Sequence, residues 1–533
     1  MATAPKLTPP PRATLQRAES HKWLVALAVM LGATLEVLDT SIVNVALPHM
    51  QGSFSASVDE ITWVLTSYLV ANGIMIPLTG WISSRFGRKR YFMASVIVFV
   101  FASGLCGAAQ TLDQMVLFRL IQGAAGAAMI PSSQAILMET FPPAEQGLAM
   151  AMWGVGLMAA PVLGPTLGGW ITDNWNWRWN FYINLPIGGI AAVMVFWFVH
   201  DPAYLRAKQG AKRPIDYLGI IYLILGLGLL QIVLDRGQRA DWFNAPWVCY
   251  FTIGSIAAIA LMVWHESHFP DPILDLSIMK IPLFNIAVLA IMAMVLILYG
   301  TNLLNPLFLQ NLMGYNAWRA GIAVAPRGVG TLVALLLVGQ LSRRGFDMRP
   351  WVGVGFAIVA YSTWKMGHWN LNVGTWALAV PIILSGVGSG FIFPTLSATT
   401  LSCVGKERMG YAASLYNMMR NTGSAIGISI VTNMLNSREQ IHQAYLVQHF
   451  SVFDAWRMTA RGAQMPDAPT FDFARELVTG QKQGLGMVYQ TVQVQASLLA
   501  FNDIYRALAI LGALCIPIFL FLKKPTSGGG AAH

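Results

Sequence analysis

Two carboxylates stand inside an apolar stretch near the start of the chain. Glu36 and Asp39 belong to the segment LEVLDTSIVNVALP, and the apolar run around them covers residues 23–47. At a rise of about 1.5 Å per residue, such a run is long enough to cross a bilayer as a helix. Residues three apart share one helix face, and an unpaired carboxylate at this depth is energetically costly. The two acids therefore either pack against polar groups of a neighbouring helix or form a site for a proton or a cation.

Arg119 is a suitable partner for such a carboxylate. It lies in the fourth apolar run and Asp39 in the first, and both are about 10 to 12 Å below the same membrane surface. A buried guanidinium needs an acidic partner. Pairing favours the ionised carboxylate whereas burial disfavours it, so a bound cation or a change of conformation can shift the balance. A static pair that only joins two helices is the other interpretation.

Motifs for other kinds of chemistry are missing from the sequence. There is no GxxxxGK[ST] loop, so ATP does not drive the protein directly. His265 and His268 form HESH rather than HExxH, and no Ser-His-Asp arrangement can be assembled. The four cysteines have neither a metal spacing nor the spacing of a disulfide framework. The sequence thus predicts no enzyme, no metal site and no cofactor.

The composition is that of a membrane protein. Hydrophobic residues make up 55% of the chain and charged residues 11%, and the mean hydropathy is +0.55. Soluble proteins of this length do not show that balance. The net charge of +10 comes from Lys and Arg spread over short loops, where they set orientation, so it does not predict nucleic-acid binding. No small-residue cleavage site follows the first run, which predicts a retained helix rather than a signal peptide.

Fourteen apolar runs of spanning length divide the chain, which predicts an all-α integral membrane protein embedded in the lipid bilayer. They lie at residues 22–47, 60–83, 91–110, 113–135, 147–171, 181–200, 216–234, 247–265, 283–308, 319–341, 351–368, 375–397, 410–434 and 499–522. An even number of spans puts both termini on one side. The loops richest in Lys and Arg fall on that side, which predicts cytoplasmic termini.

A short internal repeat divides the spans into two halves. GWISSRFGRKR at 80–90 follows the second span, and GQLSRRGFDMR at 339–349 follows the tenth. Two homologous six-helix bundles explain the repeat, with two inserted helices between them and the substrate bound between the halves near the bilayer midplane.

The predicted division of the chain follows from these halves. It comprises a tail at 1–21, an N-terminal bundle at 22–200, a linker with the two added helices at 201–282, a C-terminal bundle at 283–522 and a tail at 523–533. The C-terminal bundle includes a long polar outer loop at 436–498. This loop is either a solvated linker or a docking surface for another protein.

Several motifs carry a resemblance to a known family. They are LDTSIVNVALP, GWISSRFGRKR, RLIQGAAGAAMIPSSQA, GVGLMAAPVLGPTLGGWITD, WRWNFYINLPIG and LDRGQRADWF, and they extend over nearly the whole chain. In this order they resemble the major facilitator superfamily, specifically its fourteen-helix drug:proton antiporters of the EmrB/QacA type. The resemblance implies the major facilitator fold and transport by alternating access.

The resemblance also assigns roles to residues. The matching arginine is implicated in proton transfer in the family, so Asp39, Glu36 and Arg119 are expected to couple proton movement to transport. The loop after the second span is expected to lock one conformation across the halves, although Ser84 stands where the family usually has an acid. The lock residues are Gly80, Arg85, Gly87 and Arg88. The expected substrate cavity comprises Glu36, Gln134, Tyr299, Asn302, Tyr416, Asn417 and Arg420.

The fifth span contains many residues that weaken an isolated helix. By resemblance this is the antiporter motif, a bendable gate that limits uncoupled proton leak. A kinked packing helix is the alternative interpretation. The gate residues are Gly156, Pro161, Gly164, Pro165, Gly168 and Gly169.

These features together predict a proton-driven exporter of hydrophobic, chemically diverse drugs in a bacterial inner membrane, where it would contribute to antibiotic resistance. By resemblance, the outer loop and the inserted hairpin imply two partners in a tripartite efflux pump, a periplasmic membrane-fusion adaptor and an outer-membrane channel. A dedicated exporter of one metabolite or siderophore on the same fold is the first alternative. A membrane channel or sensor is the alternative from a different class.

Overall fold

The computed structural model describes residues 12–143, 145–201, 215–238, 240–269, 272–344, 346–448 and 482–522. Within these ranges the regular structure is helical throughout, and long helical segments occupy the places of all fourteen predicted spans. Eleven of them are long and apolar enough to cross a membrane. The other three are helices of 29, 18 and 40 residues at the fifth, eleventh and thirteenth positions. The predicted all-α membrane class is confirmed.

The N-terminal six spans are built from nine helices. They are α1 (Arg12–Phe54), α2 (Val58–Ile61), α3 (Trp63–Phe86), α4 (Arg88–Ala108), α5 (Leu112–Gly126), α6 (Met129–Thr140), α7 (Gln146–Asn174), α8 (Trp179–Tyr182) and α9 (Asn184–Phe198). α1 continues through Pro48 to Phe54, past its predicted end at residue 47. The extra turns are stabilised because Met50 is buried in an apolar cluster with Trp177.

Two inserted helices and the helices of the C-terminal half follow. The inserted pair is α10 (Tyr217–Arg236) and α11 (Pro246–Glu266). The C-terminal half contains α12 (Pro282–Leu307), α13 (Ala317–Val324), α14 (Pro326–Arg343), α15 (Arg349–Met366), α16 (Thr375–Ser402), α17 (Met409–Gln448), α18 (Lys482–Cys515) and α19 (Ile518–Phe521). A π-helical turn, Phe308–Leu312, follows α12 directly, and a short 3-10 helix, Lys406–Arg408, precedes α17.

The predicted outer loop at 436–498 is partly helical. α17 continues to Gln448 and α18 begins at Lys482, while residues 449–481 lie outside the described part of the chain. Polar side chains join the two extensions: a ring nitrogen of His442 lies 2.9 Å from a carboxylate oxygen of Asp503, and the Gln443 amide donates to the Tyr489 hydroxyl at 3.2 Å. Because the helices pair in this way, they extend further than hydropathy alone predicted.

The inserted helices contact both halves at the end of the bundle opposite the basic loops. The Thr66 hydroxyl on α3 donates to Asp235 at 2.5 Å, and the Arg236 guanidinium stacks 4.4 Å from the ring centroid of Trp63. The Gln238 amide donates to the Thr432 carbonyl of α17 at 3.1 Å. The inserted hairpin therefore bridges the two bundles.

Large apolar side chains cover the outer surface of the bundle. Four of them, on α4, α9, α11 and α18, are each about 70% exposed: Phe101, Trp197, Tyr250 and Leu514. An apolar exterior of this kind is what a lipid-facing surface requires, because lipid cannot satisfy polar groups.

Candidate functional site: a buried carboxylate and arginine network

Asp39 on α1 and Arg119 on α5 form a buried ion pair. Nη1 of Arg119 donates to Oδ2 of Asp39 at 2.6 Å, and both side chains are inaccessible to solvent. Nε of Arg119 donates to the Val64 carbonyl at 3.2 Å, and the guanidinium lies 4.3 Å from the ring centroid of Tyr68. The two side chains that were predicted to lie at one depth are thus in direct contact.

Two amides also bind the other oxygen of this carboxylate. Gln122, one turn after Arg119, donates to Oδ1 of Asp39 at 2.9 Å, and Asn184 at the start of α9 donates to the same oxygen at 2.7 Å. Asn184 donates as well to the Ser103 hydroxyl on α4 at 3.0 Å. An ionised carboxylate has about four acceptor sites, so it accepts hydrogen bonds from all three donors. Donors from α5 and α9 therefore converge on this one carboxylate of α1.

Three residues of this network were not predicted from the sequence: Gln122, Asn184 and Ser103. Each is a polar residue inside an apolar span, and each is fully buried. Buried polar groups need partners, so these three positions were recognisable as candidates. Their common partner was not, because hydropathy does not give the rotation of one helix relative to the next.

Glu36, one turn before Asp39, has different surroundings. Nδ2 of Asn72 on α3 donates to its Oε1 at 2.9 Å, and no hydrogen bond from the described residues reaches its Oε2. The residue is only 6% exposed. The sequence predicted a position facing the central cavity; in this conformation Glu36 packs against α3, where Asn72 offers it a buried donor. Its part in coupling stays a prediction.

The glycines of the fifth span pack α7 against the helix that carries both acids. A Cβ atom added at Gly164 would lie 2.5 Å from Cβ of Ser41, and one at Gly168 would lie 3.1 Å from Ile42. One at Gly156 would lie 3.0 Å from the hydroxyl of Thr34.

The other residues of this glycine- and proline-rich run lie in the same unbroken helix. They are Pro161, Pro165, Gly169 and the preceding Gly154. The predicted gate is thus a close α1–α7 contact, and its role in limiting leak stays a prediction.

The two halves touch at the end of the bundle that carries the basic loops. A Cβ atom at Gly80 would lie 2.7 Å from Cα of Tyr411 on α17, so the two backbones are in close contact. The Ser414 hydroxyl lies 2.7 Å from the carbonyls of both Ile76 and Pro77. α7 and α14 form a second contact between the halves at the same end. The space between the halves is therefore closed at the basic end.

The basic loop takes part in this closure through a hydroxyl. Ser84, where the family usually has an acid, shares a 3.0 Å hydrogen bond with the Tyr411 hydroxyl across the halves. Arg88 forms an ion pair with Glu139 of the same half and also lies beside Gly410 of α17. The cross-half hydrogen bond at this position is thus neutral.

Two further lock residues shape the loop itself. Gly87 has φ +95°, which L side chains rarely adopt, and this allows α4 to begin directly after α3. The Arg85 guanidinium stacks 5.4 Å from the ring centroid of Trp81. Both residues therefore position the turn; their role in locking a conformation remains a prediction.

The predicted cavity residues occupy several kinds of surroundings. Nδ2 of Asn417 donates to Oε1 of Gln134 across the halves at 2.5 Å, and both residues are fully buried. Tyr416 is also fully buried, and its hydroxyl lies 2.8 Å from that of Ser397. Tyr299, by contrast, is 44% exposed. In this arrangement the first three residues join helices, so their contact with a substrate would need a different conformation.

The C-terminal half contributes two arginines. Arg420 on α17, predicted from the sequence, is half-buried with its guanidinium 5.7 Å from the ring centroid of Phe393. Arg327 on α14 was missed, although a charge eight residues into the apolar run at 319–341 was a visible signal. It donates to Oδ1 of Asn302 and, at 2.9 Å, to the hydroxyl of Thr301, and it is 8% exposed.

The comparisons with known proteins agree with this fold. Residues 29–428 match the family model described as Major Facilitator Superfamily. Among the described residues there is no group of three His, Cys, Asp or Glu side chains suited to a metal ion. The chain belongs to the major facilitator superfamily, whose members are transporters rather than enzymes.

Individual relatives place the chain within that superfamily. It is 34% identical over 515 residues to the multidrug export protein EmrB of Escherichia coli strain K12, covering 96% of this chain and 98% of that protein. It is also 34% identical over 511 residues to the fatty acid resistance protein FarB of Neisseria gonorrhoeae, covering 96% and 97%. The resemblance to the EmrB type that the sequence motifs indicated is confirmed.

Solved structures show the same fold. The human organic anion transporter MFSD10 (TETRAN) matches with a TM-score of 0.59 at 14% identity, covering 92% of this chain and 99% of that one. The proton:xylose symporter XylE matches with a TM-score of 0.56 at 14% identity, covering 95% and 96%. The predicted major facilitator fold is confirmed.

Proposed function

We propose that the protein is a proton-driven multidrug exporter of a bacterial inner membrane that works by alternating access, with both termini in the cytoplasm. The observation that carries the proposal is the solvent-inaccessible Asp39–Arg119 pair. An ionisable pair inside a membrane bundle is costly to keep and by default marks an ion or proton pathway. The name of the E. coli relative, a multidrug export protein, supports the substrate class.

Protonation of Asp39 is the proposed coupling step. The added proton neutralises the carboxylate, so the contacts from Arg119, Gln122 and Asn184 lose their charge-assisted strength and Arg119 loses its countercharge. Those donors lie on α5 and α9, and α1 also packs closely on α7. A change at Asp39 therefore acts on α1, which packs on α7, and α7 in turn contacts α14 of the C-terminal half. The membrane potential contributes about 2.3 kcal/mol per charge per 100 mV, which is enough to bias such an equilibrium.

In the proposed orientation the basic end is cytoplasmic. Closure at Gly80, Ser84 and Ser414 then corresponds to a state that faces outward. Drug leaves this state as a proton enters from outside. Deprotonation to the cytoplasm reopens the other side and readmits drug.

The helical extensions of α17 and α18 support the proposed tripartite assembly. They lie at the end opposite the basic loops and are joined by the contact between His442 and Asp503. In the proposed orientation this end is periplasmic, where a membrane-fusion adaptor and an outer-membrane channel would bind. The test is retention of the purified protein on a co-expressed periplasmic adaptor. An exporter that is active but never retained by the adaptor would contradict the assembly and leave the transport proposal intact.

Proton exchange in liposomes tests the coupling step. Asp39→Asn should abolish drug-driven proton movement under an imposed pH gradient, because an amide cannot carry the proton. Asp113→Asn, at an exposed acid near the start of α5, is the matched control and should exchange normally. Thermal unfolding of both variants checks that each is folded. Normal exchange by the Asp39→Asn variant would refute the assignment.

The same liposomes separate an exporter from a channel. An exporter gives saturable counterflow, in which external drug accelerates the movement of labelled internal drug, whereas a channel does not. A panel of unrelated hydrophobic drugs distinguishes a multidrug exporter from a dedicated one.

A further inference from the structure

We infer that Arg327 and the polar residues around it form a binding site for the carboxylate of an anionic amphiphilic substrate. The site lies in the C-terminal half, apart from the Asp39 network. This inference rests on the proposed export function and specifies a substrate class that the function itself leaves open. The inference rests on which groups surround the Arg327 guanidinium and on which of its nitrogens lack an acceptor.

Among the described residues, the Arg327 guanidinium donates hydrogen bonds only to neutral oxygens, and only from two of its three nitrogens. Its two Nη atoms donate to Oδ1 of Asn302 and to the hydroxyl of Thr301. Its Nε is buried with no acceptor among the described residues. No carboxylate of the described chain lies within ion-pair distance of it, whereas Arg119 in the other half has Asp39. The positive charge of Arg327 is therefore not compensated by an ion pair.

The helices that carry Arg327 and its two hydrogen-bond partners contain no acid. The five helices α12 to α16 contain no aspartate or glutamate. Between residues 282 and 402 the single acid is Asp347, which binds Arg349 in the loop at the basic end. Arg327 lies eight residues from the start of its span, which places it about 12 Å below the membrane surface. A guanidinium at that depth without a countercharge is costly, and a bound anion removes that cost.

Asn305 on α12, like Arg327, has a buried donor without an acceptor among the described residues. The Tyr505 hydroxyl donates to Oδ1 of Asn305 at 2.7 Å, while Nδ2 of Asn305 is buried with no acceptor among the described residues. Asn305 lies one turn after Asn302 and is fully buried. Unused donors from Arg327 and Asn305, with no nearby acid, suit an acceptor such as a carboxylate and disfavour a cation.

The face of α12 beside this cluster is exposed. Asn302 and Tyr299, three residues apart on one helix face, are both exposed. A ligand that approaches along this face meets an aromatic ring and then the guanidinium. That order fits an amphiphile with an apolar body and one terminal charge.

A purely structural role explains the contacts less well than binding does. Bridging α14 to the neutral oxygens of Asn302 and Thr301 needs only a neutral donor, which a glutamine side chain also provides. A charge at this position adds the cost of desolvation without improving the bridge. The charge itself therefore indicates an anionic ligand.

Three fluorescent probes of one shape test the inference. They are pyrenebutyrate, pyrenebutanol and pyrenebutyltrimethylammonium, and their binding to the purified full-length protein in nanodiscs is measured by fluorescence anisotropy without a pH gradient. Arg327→Gln should weaken pyrenebutyrate binding by about tenfold or more, as expected for loss of a charge-assisted hydrogen bond. Binding of the cationic and neutral probes should stay within about twofold to threefold, because they gain nothing from the guanidinium.

Two further variants make the result decisive. Arg319→Gln removes an exposed arginine two turns earlier in the same span and should leave all three affinities unchanged. Arg327→Lys keeps the charge and should retain part of the preference for pyrenebutyrate. An equal loss of all three probes in both Arg327 variants, or an unchanged pyrenebutyrate affinity in Arg327→Gln, would overturn the inference.

This outcome is independent of the coupling mechanism. Because binding is measured at equilibrium, a protein that binds the anion through Arg327 but fails to exchange protons would contradict the proposed function alone. A protein that exchanges protons and drugs while binding the three probes without regard to Arg327 would contradict this inference alone.

Discussion

At the scale of single residues, Asp39 shows how a membrane protein holds a carboxylate in its interior. The charge is matched by one guanidinium and two amides that come from two other helices. Depth alone predicted the contact between Asp39 and Arg119, because the depth of each residue follows from its distance in residues from the end of its span. Asn184 and Gln122 could not be assigned in that way, since their contribution depends on which way each helix face turns.

Asn184 offers a test of this network that leaves both charges in place. Asn184→Ala removes a 2.7 Å donor from Asp39 and the contact with Ser103. We expect drug-driven proton exchange to fall about tenfold, since loss of a hydrogen bond to a charged group costs about 1.5 to 3 kcal/mol. The measurement is the exchange rate in liposomes, with Asn174→Ala, an exposed amide at the end of α7, as the control. An unchanged rate in Asn184→Ala would show that Arg119 and Gln122 suffice.

At the scale of helices, α7 shows that glycine spacing sets how closely two spans approach. Gly164 and Gly168 allow α7 to contact the backbone of α1 next to Ser41 and Ile42. The sequence indicated an unusual helix here, and the resemblance implied a gate. Which neighbour the glycines contact was not predictable, because small residues leave no periodic pattern that names a partner.

Gly164→Ala tests this contact. The added methyl group would lie 2.5 Å from Cβ of Ser41, so the helices must separate, at a cost of about 1 to 3 kcal/mol. We expect a lower thermal unfolding midpoint and a faster passive proton leak in liposomes. Gly189→Ala on α9 is the control, since nothing lies within 4 Å of its added Cβ. A destabilised variant that leaks no more than the control would assign α7 a packing role and no gating role.

Helix ends were predicted less well than helix number. Fourteen spans were predicted and fourteen long helical segments are found among the described residues, but α1, α17 and α18 extend past their predicted ends. Hydropathy detects where a helix is apolar and does not detect where it stops. The extensions persist because of specific side-chain contacts, such as that between Ser497 and Glu439.

At the scale of the whole molecule, the two halves meet at one end and are bridged by the inserted hairpin at the other. The internal repeat predicted two halves, and their contact near residues 80–90 follows from the position of that repeat. The bridge from Thr66 through the hairpin to Thr432 was not predicted. Nothing in the sequence of an inserted segment specifies which surface it covers.

A disulfide across the halves tests whether they must separate at the basic end. A Cβ atom at Gly147 would lie 3.1 Å from Cβ of Ser342, close to the separation of about 3.5 to 4.5 Å in a disulfide. The double variant Gly147→Cys with Ser342→Cys should therefore cross-link under mild oxidation. Export should stop in the oxidised protein and return after reduction. Each single variant is a control, and continued transport by the fully cross-linked protein would contradict alternating access at this end.

The absence of acids from α12 to α16 has a consequence for how such a protein diversifies. Under the proposals above, proton handling resides in one bundle and recognition of cargo charge in the other. Selection on cargo preference can then act on the second bundle while the energy-converting residues stay untouched. A chimaera joined within the inserted segment would accordingly take its proton coupling from one parent and its substrate preference from the other.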